Sequence, residues 1–199
     1  MVFCAFHQSY KISEGVFARW CELLQRVPGA VLWLLEWNAN VRDSLVAAAA
    51  ARGIGAERLR FAPLLPLEAH LARLACADVF LDAWPCNAHT TAGEALWMGV
   101  PVLTLLGDTF AQRVGASLLH QVGLDELVCA DEAGYVEAAV ALAADAPRRA
   151  VLRERLERER RASPLFDGER FARDMESLLE RLWARACAGL PPEHLPAQN

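Results

Sequence analysis

The sequence has almost no lysine: of its 20 basic residues one is lysine, Lys11, and the other nineteen are arginine. It also lacks any apolar run near the ~20 residues that cross a bilayer. The longest uncharged stretch, Ala95 to Gly107, is interrupted by Gly99-Val-Pro101. A membrane partner is not expected, and because Met1 is followed directly by a strand-like run, neither is a secretory leader. The six cysteines, at 4, 21, 76, 86, 129 and 187, form no CxxC pair. Most sit in apolar runs and read as small buried hydrophobes in the reducing cytoplasm.

Catalytic signatures are missing as well. There is no Walker loop, no HExxH, no Gly-x-Ser-x-Gly and no Asp-x-Asp, and Gly53-Ile-Gly55 stops short of a dinucleotide fingerprint. No His/Cys cluster has metal spacing, so no metal and no cofactor is expected. If such a chain handles phosphate, it does so with backbone amides, hydroxyls and a few cations.

What is present is a well-stocked core. The 199 residues are 54% hydrophobic and 23% charged, with a mean hydropathy of +0.17. That suffices for one domain without disulfide staples. A net charge of −5 argues against nucleic acid or an anionic membrane surface as partner.

Short apolar runs at Val2–Ala5, Ala30–Leu35, Leu59–Ala62, Val79–Leu81 and Val102–Leu105 read as strands covered on both faces. Helical patterns separate them: one capped by Ser13 and stopped at Pro28-Gly29, then Val41–Arg52, Glu68–Ala77, Thr91–Met98 and Thr109–Val122. This alternation predicts βαβ units and a Rossmann-like, open parallel α/β sheet. After Val128 only helices are expected, at Ala133–Ala144, Pro147–Ala162 and Gly168–Ala188. The implied division is a Rossmann-like region over 1–130, helices packed on the same domain over 131–188, and a frayed tail over 189–199.

Three segments could carry chemistry. In the first, Leu81 to Trp97, a strand end runs through a polar loop into a helix. His89, Thr90 and Thr91 fall at that helix's first turn, where free N–H groups and the dipole favour an anion. Glu94, one turn on, can accept from a pair of sugar hydroxyls. The plain alternative is that Thr90 only caps the helix. The second is Phe6-His-Gln-Ser-Tyr-Lys-Ile12, after the first strand. Lys11 suits a diphosphate there and Gln8 offers an amide, against the alternative of a solvated turn. The third is Glu68 to Arg73, where His70 and Arg73 stand three apart on one helix face; a surface polar pair is the stronger reading.

Other features read as structural. Arg148 to Arg161 holds seven Arg and three Glu, but the pairs Arg153–Glu157, Glu154–Arg158, Arg155–Glu159 and Glu157–Arg161 describe a solvated helix face. Most tryptophans read as core, and His120 and His194 show no partner.

The runs Phe6-His-Gln-Ser-Tyr-Lys-Ile12, Val27-Pro-Gly-Ala-Val-Leu-Trp-Leu-Leu35 and Phe61-Ala-Pro…His70…Arg73 resemble the C-terminal catalytic half of the O-linked N-acetylglucosamine transferases, bacterial type. Cys86-Asn-Ala-His-Thr-Thr91, Leu96-Trp-Met-Gly-Val-Pro101, Arg113-Val-Gly-Ala-Ser117 and Ser163-Pro-Leu-Phe166 continue the likeness in order, from Val2 to about Leu195. The resemblance implies the C-terminal domain of a GT-B glycosyltransferase with a helical C-terminal cap. It further implies inverting, metal-independent transfer of GlcNAc from UDP-GlcNAc to Ser/Thr hydroxyls of proteins. In that pattern Gln8 and Lys11 would contact the diphosphate, with Lys11 catalytic in stabilising the leaving UDP. His89, Thr90 and Thr91 would hold phosphate and sugar, Glu94 the ribose, and Leu65, His70 and Arg73 would lie at the uracil.

This chain departs from animal members in having Leu67 where they place a Lys and Glu94 where they place an Asp. It also lacks the N-terminal catalytic lobe and the TPR array through which family members engage their protein acceptors. A fragment of a longer protein is therefore expected. The alternatives are a non-catalytic nucleotide-sugar-binding or interaction module, and a transferase using another UDP-sugar.

Overall fold

The computed structural model describes residues 1–196; the last three positions of the expected tail, 197–199, lie outside the described residues. Six strands form one parallel sheet: β1 (Val2–Ala5), β2 (Val31–Leu35), β3 (Leu59–Ala62), β4 (Val79–Leu81), β5 (Val102–Leu105) and β6 (Val128–Cys129). Their spatial order is β3-β2-β1-β4-β5-β6. Five match the apolar runs; β6 was not expected, because two residues leave too little pattern to read.

The central strands are apolar at every position because helices cover both faces. Phe3, Cys4 and Ala5 on β1 and Val79, Phe80 and Leu81 on β4 are all completely buried. Each large side chain buried this way contributes about 1.5–3 kcal/mol. The edge strand β3, by contrast, leaves Arg60 exposed.

The helices are α1 (Glu14–Arg26), α2 (Ala39–Ala50), α3 (Leu67–Leu74), α4 (Thr90–Trp97), α5 (Val114–Gln121), α6 (Glu132–Ala144), α7 (Ala146–Ala162) and α8 (Gly168–Cys187). Ser13 caps α1 as expected, its Oγ accepting from Val16 N. At its end α4 turns through Gly99 at φ 75°, a conformation that favours glycine. The expected helix over 109–122 is instead two pieces. A capping box between Thr109 and Gln112 closes a 3-10 turn over Phe110–Gln112, and α5 starts afresh at Val114.

Most tryptophans are core as expected: Trp20 is buried and Trp33, Trp37 and Trp84 pack against the core, while Trp183 is 72% exposed and Trp97 41%. Two other expectations change. His120 has a partner after all: Asp125, 2.9 Å away. None of the four expected i,i+4 pairs on α7 forms among the described residues. Four arginines reach instead for carbonyls of other segments: Arg149 for Leu142 and Ala143 at the end of α6, Arg153 for Ala77 in the link from α3 to β4, Arg155 for Gly123 just after α5 (and for the Glu126 carboxylate), and Arg160 for Trp97 at the end of α4. A guanidinium fork meets two needs there, unsatisfied carbonyls and the negative end of a helix dipole. The last helix, α8, buries none of its 20 residues. No helix among the described residues is long and apolar enough to cross a membrane.

Candidate functional site

The strand order reverses between β1 and β4, and in an open parallel sheet the ligand crevice lies outside the strand carboxyl ends at that point. The segments leaving these two strands are the two that carry Lys11 and the His89-Thr90-Thr91 run. Between them is a cavity of about 450 Å³. All nine residues singled out in the sequence line it: Gln8, Lys11, Leu65, His70, Arg73, His89, Thr90, Thr91 and Glu94.

The floor of the cavity is the start of α4. His89 is the N-cap residue and makes no side-chain cap bond. Neither the Thr90 nor the Thr91 hydroxyl has a hydrogen-bond partner among the described residues, so Thr90 does not cap the helix. Free N–H groups, two hydroxyls and the positive helix end thus converge on one opening, a combination that suits an anion.

Lys11 closes a 3-10 turn over Ser9–Lys11. Its Nζ donates to the Asn87 carbonyl at 2.6 Å. No carboxylate lies within ion-pair distance of it among the described residues, so two of its three donors have no partner there.

On the opposite wall, α3 brings His70 and Arg73 together. Arg73 Nη2 donates to His70 Nδ1 at 2.7 Å, and the guanidinium lies 4.9 Å from the centre of the Phe6 ring. With Nδ1 accepting, His70 carries its proton on Nε2, which stands 3.4 Å from Glu94 Oε2. The surface-pair reading of these two residues is therefore replaced by a chain from Arg73 through His70 to Glu94. Burial and the Arg73 charge lower the His70 pKa, while burial raises that of Glu94. Burial, with Lys11 second, lowers His89 too. At neutral pH the imidazoles are uncharged, which leaves Lys11 and Arg73 as the cavity's cations.

Several contributors were not picked out from the sequence. His7 is 2% exposed and its Nε2 donates to the Leu81 carbonyl at 2.8 Å. Burial, the largest cause, lowers its pKa to about 4. Trp37 Nε1 donates to the His7 carbonyl at 2.7 Å and fixes the loop after β1. Asn87, completely buried, ties the other loop: its Nδ2 donates to the Ala83 carbonyl, and its Oδ1 accepts from Gly115 N at 3.2 Å. The one signal for these residues was a polar side chain beside an apolar strand, which does not say what the side chain holds. Among the described residues no group of His, Cys, Asp and Glu could hold a metal ion.

The sequence profile of glycosyl transferase family 41 matches residues 1–175. The chain belongs to that family. It is 36% identical over 195 residues to the UDP-N-acetylglucosamine–peptide N-acetylglucosaminyltransferase of Caenorhabditis elegans, covering 98% of this chain and 17% of that protein. Among solved structures, a lysine-to-methionine variant of the Thermobaculum terrenum O-GlcNAc transferase superposes with a TM-score of 0.89 at 35% identity. That match covers 94% of this chain and 37% of the other. The pneumococcal O-GlcNAc transferase GtfA, with a TM-score of 0.59 and 12% identity over 91% of this chain and 36% of that one, shares the fold. The fold is thus that of the C-terminal domain of a GT-B glycosyltransferase. This family 41 chain spans about a sixth of the C. elegans relative and under two-fifths of the T. terrenum one.

Proposed function

We propose that this chain is the donor-binding part of an inverting, metal-independent glycosyltransferase that moves GlcNAc from UDP-GlcNAc to Ser/Thr hydroxyls of proteins. The observation that carries the reading is the open N-terminus of α4 with Lys11 held beside it in the same cavity. In this reading the diphosphate sits between them, held by Gln8, Lys11, His89, Thr90 and Thr91. Glu94 takes the ribose hydroxyls, and Leu65, His70 and Arg73 border the uracil. An acceptor hydroxyl attacks C1 of the sugar and gives up its proton to water, the bond from C1 to the β-phosphate oxygen breaks, and its electron pair leaves on UDP. Lys11 and the α4 amides offset the charge that develops there.

The nucleotide sugar belongs to residues 1–130 in this proposal, with 131–188 as a helical cap. The protein acceptor is held by the N-terminal lobe and TPR region of a longer polypeptide, and the compartment is the cytoplasm.

Thermal unfolding with UDP, GDP and UDP-GlcNAc tests the donor site. UDP at ~100 times its Kd adds about 2.7 kcal/mol, or roughly 5–10 °C in Tm for a domain of this size. The expected result is a shift with UDP and UDP-GlcNAc that is smaller with GDP and absent in Lys11→Ala. A cooperative melt that no uridine nucleotide moves would sink the reading.

A further inference from the structure

Asp82 lies directly after β4, completely buried, and every hydrogen bond to its carboxylate comes from a donor. Oδ1 accepts from Ala83 N at 2.8 Å and from Ala88 N at 2.6 Å; Oδ2 accepts from Thr104 Oγ1 at 2.7 Å. One oxygen therefore ties both ends of the 83–88 loop. Space around it is filled: a Cβ added at Gly115 would meet Asp82 Oδ2 and Thr104 Oγ1 at 2.5 Å each.

The bond from Ala88 N matters most. The N–H of Ala88 and the carbonyl of Asn87 belong to one peptide unit, which is trans. Asp82 holds the N–H side of this unit, and Lys11 Nζ donates to its carbonyl side. A carboxylate and an ammonium thus sit at opposite ends of a single peptide plane, each polarising the group that the other binds. In the proposed reaction Lys11 needs a fixed place and an uncancelled charge. A carboxylate in direct contact would cancel it; a carboxylate one peptide away fixes the place and leaves the ammonium open to ligand.

We propose that Asp82 is a positioning residue for Lys11, acting through the Asn87–Ala88 peptide, in binding and discharging the donor's diphosphate. This rests on the UDP reading above.

The test uses this chain, titrated with UDP and with uridine in a calorimeter, as wild type, Asp82→Ala, Asp82→Asn, Lys11→Ala and the Asp82→Ala/Lys11→Ala double variant. Asp82→Ala is expected to weaken UDP at least about tenfold while uridine stays within about twofold. Asp82→Asn keeps an acceptor at Oδ1 and restores most of the affinity. In the Lys11→Ala background, Asp82→Ala adds less than about twofold, because the two act as one unit. Equal loss of UDP and uridine, or losses that multiply in the double variant, would overturn the proposal.

Thr104→Val, which removes only the donor to Oδ2, serves if Asp82→Ala does not fold. It is expected to weaken UDP several-fold with uridine unchanged, and no effect, or an equal effect on both, counts against the proposal. A ligand-free measurement separates this proposal from the UDP reading. Lys11 is the single lysine, so lysine-selective ¹⁵N labelling yields one side-chain signal. That signal should move to the position of free lysine in Asp82→Ala, or partway there in Thr104→Val, and stay in Asp82→Asn. An unmoved signal in Asp82→Ala and Thr104→Val refutes the positioning role even where UDP binds. If wild type fails to bind UDP while the signal moves as expected, the positioning of Lys11 stands and the UDP reading falls.

Discussion

Helix α7 and the cavity between β1 and β4 hold the same sign of charge and use it in opposite ways. Seven arginines crowd residues 148–161, and four of them bind carbonyls at the ends of α4 and α6, just after α5, and in the link from α3 to β4. The cavity has Lys11, held by a single carbonyl. An arginine fork fits several carbonyls at once and so ties elements together; an ammonium is a compact charge that one acceptor can steady without consuming. Charge density therefore marks the scaffold of this protein, and charge left unspent marks its site.

The sharpest way to break that comparison is to remove one cation from each place. Lys11→Ala is expected to cost about 3 kcal/mol in UDP binding, near a hundredfold, while Tm moves by no more than about 2 °C. Arg153→Ala should do the reverse, lowering stability by about 1–3 kcal/mol and Tm by roughly 3–10 °C, with UDP affinity unchanged. Calorimetric titration and melting on both variants read this directly. If Arg153→Ala weakened UDP as much as Lys11→Ala did, α7 would have to be counted as part of the site.

A second prediction concerns pH and compares two groups buried beside the same loops. Burial pushes the Asp82 carboxyl up to about 7 from 3.8, against the pull of Ala88 N–H, Thr104, Ala83 N–H and Lys11. Its folded value lies above its unfolded one, so its stabilisation is complete below about pH 3.8 and is lost as pH rises through 7. His7 runs the other way. Its folded value of about 4 lies below 6.5, so its stabilisation is present above pH 6.5 and is lost as pH falls toward 4. In wild type the two oppose each other between pH 4 and 6.5. Asp82→Asn removes one of them, so from pH 8 to pH 5 wild type should gain about 2–3 kcal/mol relative to the variant. Parallel stability curves for the two proteins would show that Asp82 does not titrate there.

Much of this was legible in the sequence, for reasons that also explain what was not. β1 to β5 could be read because strands buried on both faces must be apolar throughout, and Gln8, Lys11, His89, Thr90 and Thr91 because they are polar where a strand ends; Leu65, His70 and Arg73 were placed only by the family resemblance. The break at Arg113 was hidden because a helical pattern continues across a capping box that closes only a 3-10 turn. Asp82, Asn87 and His7 were present in quoted motifs without a role. His7 and Asn87 bind backbone from a distant segment, at Leu81 and Gly115, and Asp82 accepts from the distant Thr104 hydroxyl. A linear pattern shows which residues line a crevice; it does not show which ones hold the lining in place.

The smallest expected effect puts a charge back. Leu67 opens α3 on the cavity rim and is 60% exposed, and its counterpart for this test is Val151, 55% exposed on α7. Leu67→Lys places a cation on the cavity rim, but at the positive end of the helix whose last turn carries Arg73 and in the cavity that Lys11 also lines, which costs a few tenths of a kcal/mol. The net expectation is a gain of about two- to fivefold in UDP affinity at low ionic strength, fading as salt shortens the Debye length to about 8 Å at 0.15 M. Val151→Lys adds the same charge to a face where the arginines already have their carbonyls, and UDP affinity should not change. The two variants share a net charge, so a long-range attraction for the anion would raise affinity in both alike. A gain confined to Leu67→Lys means that position, not total charge, governs what this cavity binds, while equal gains would dissolve the distinction between the two regions.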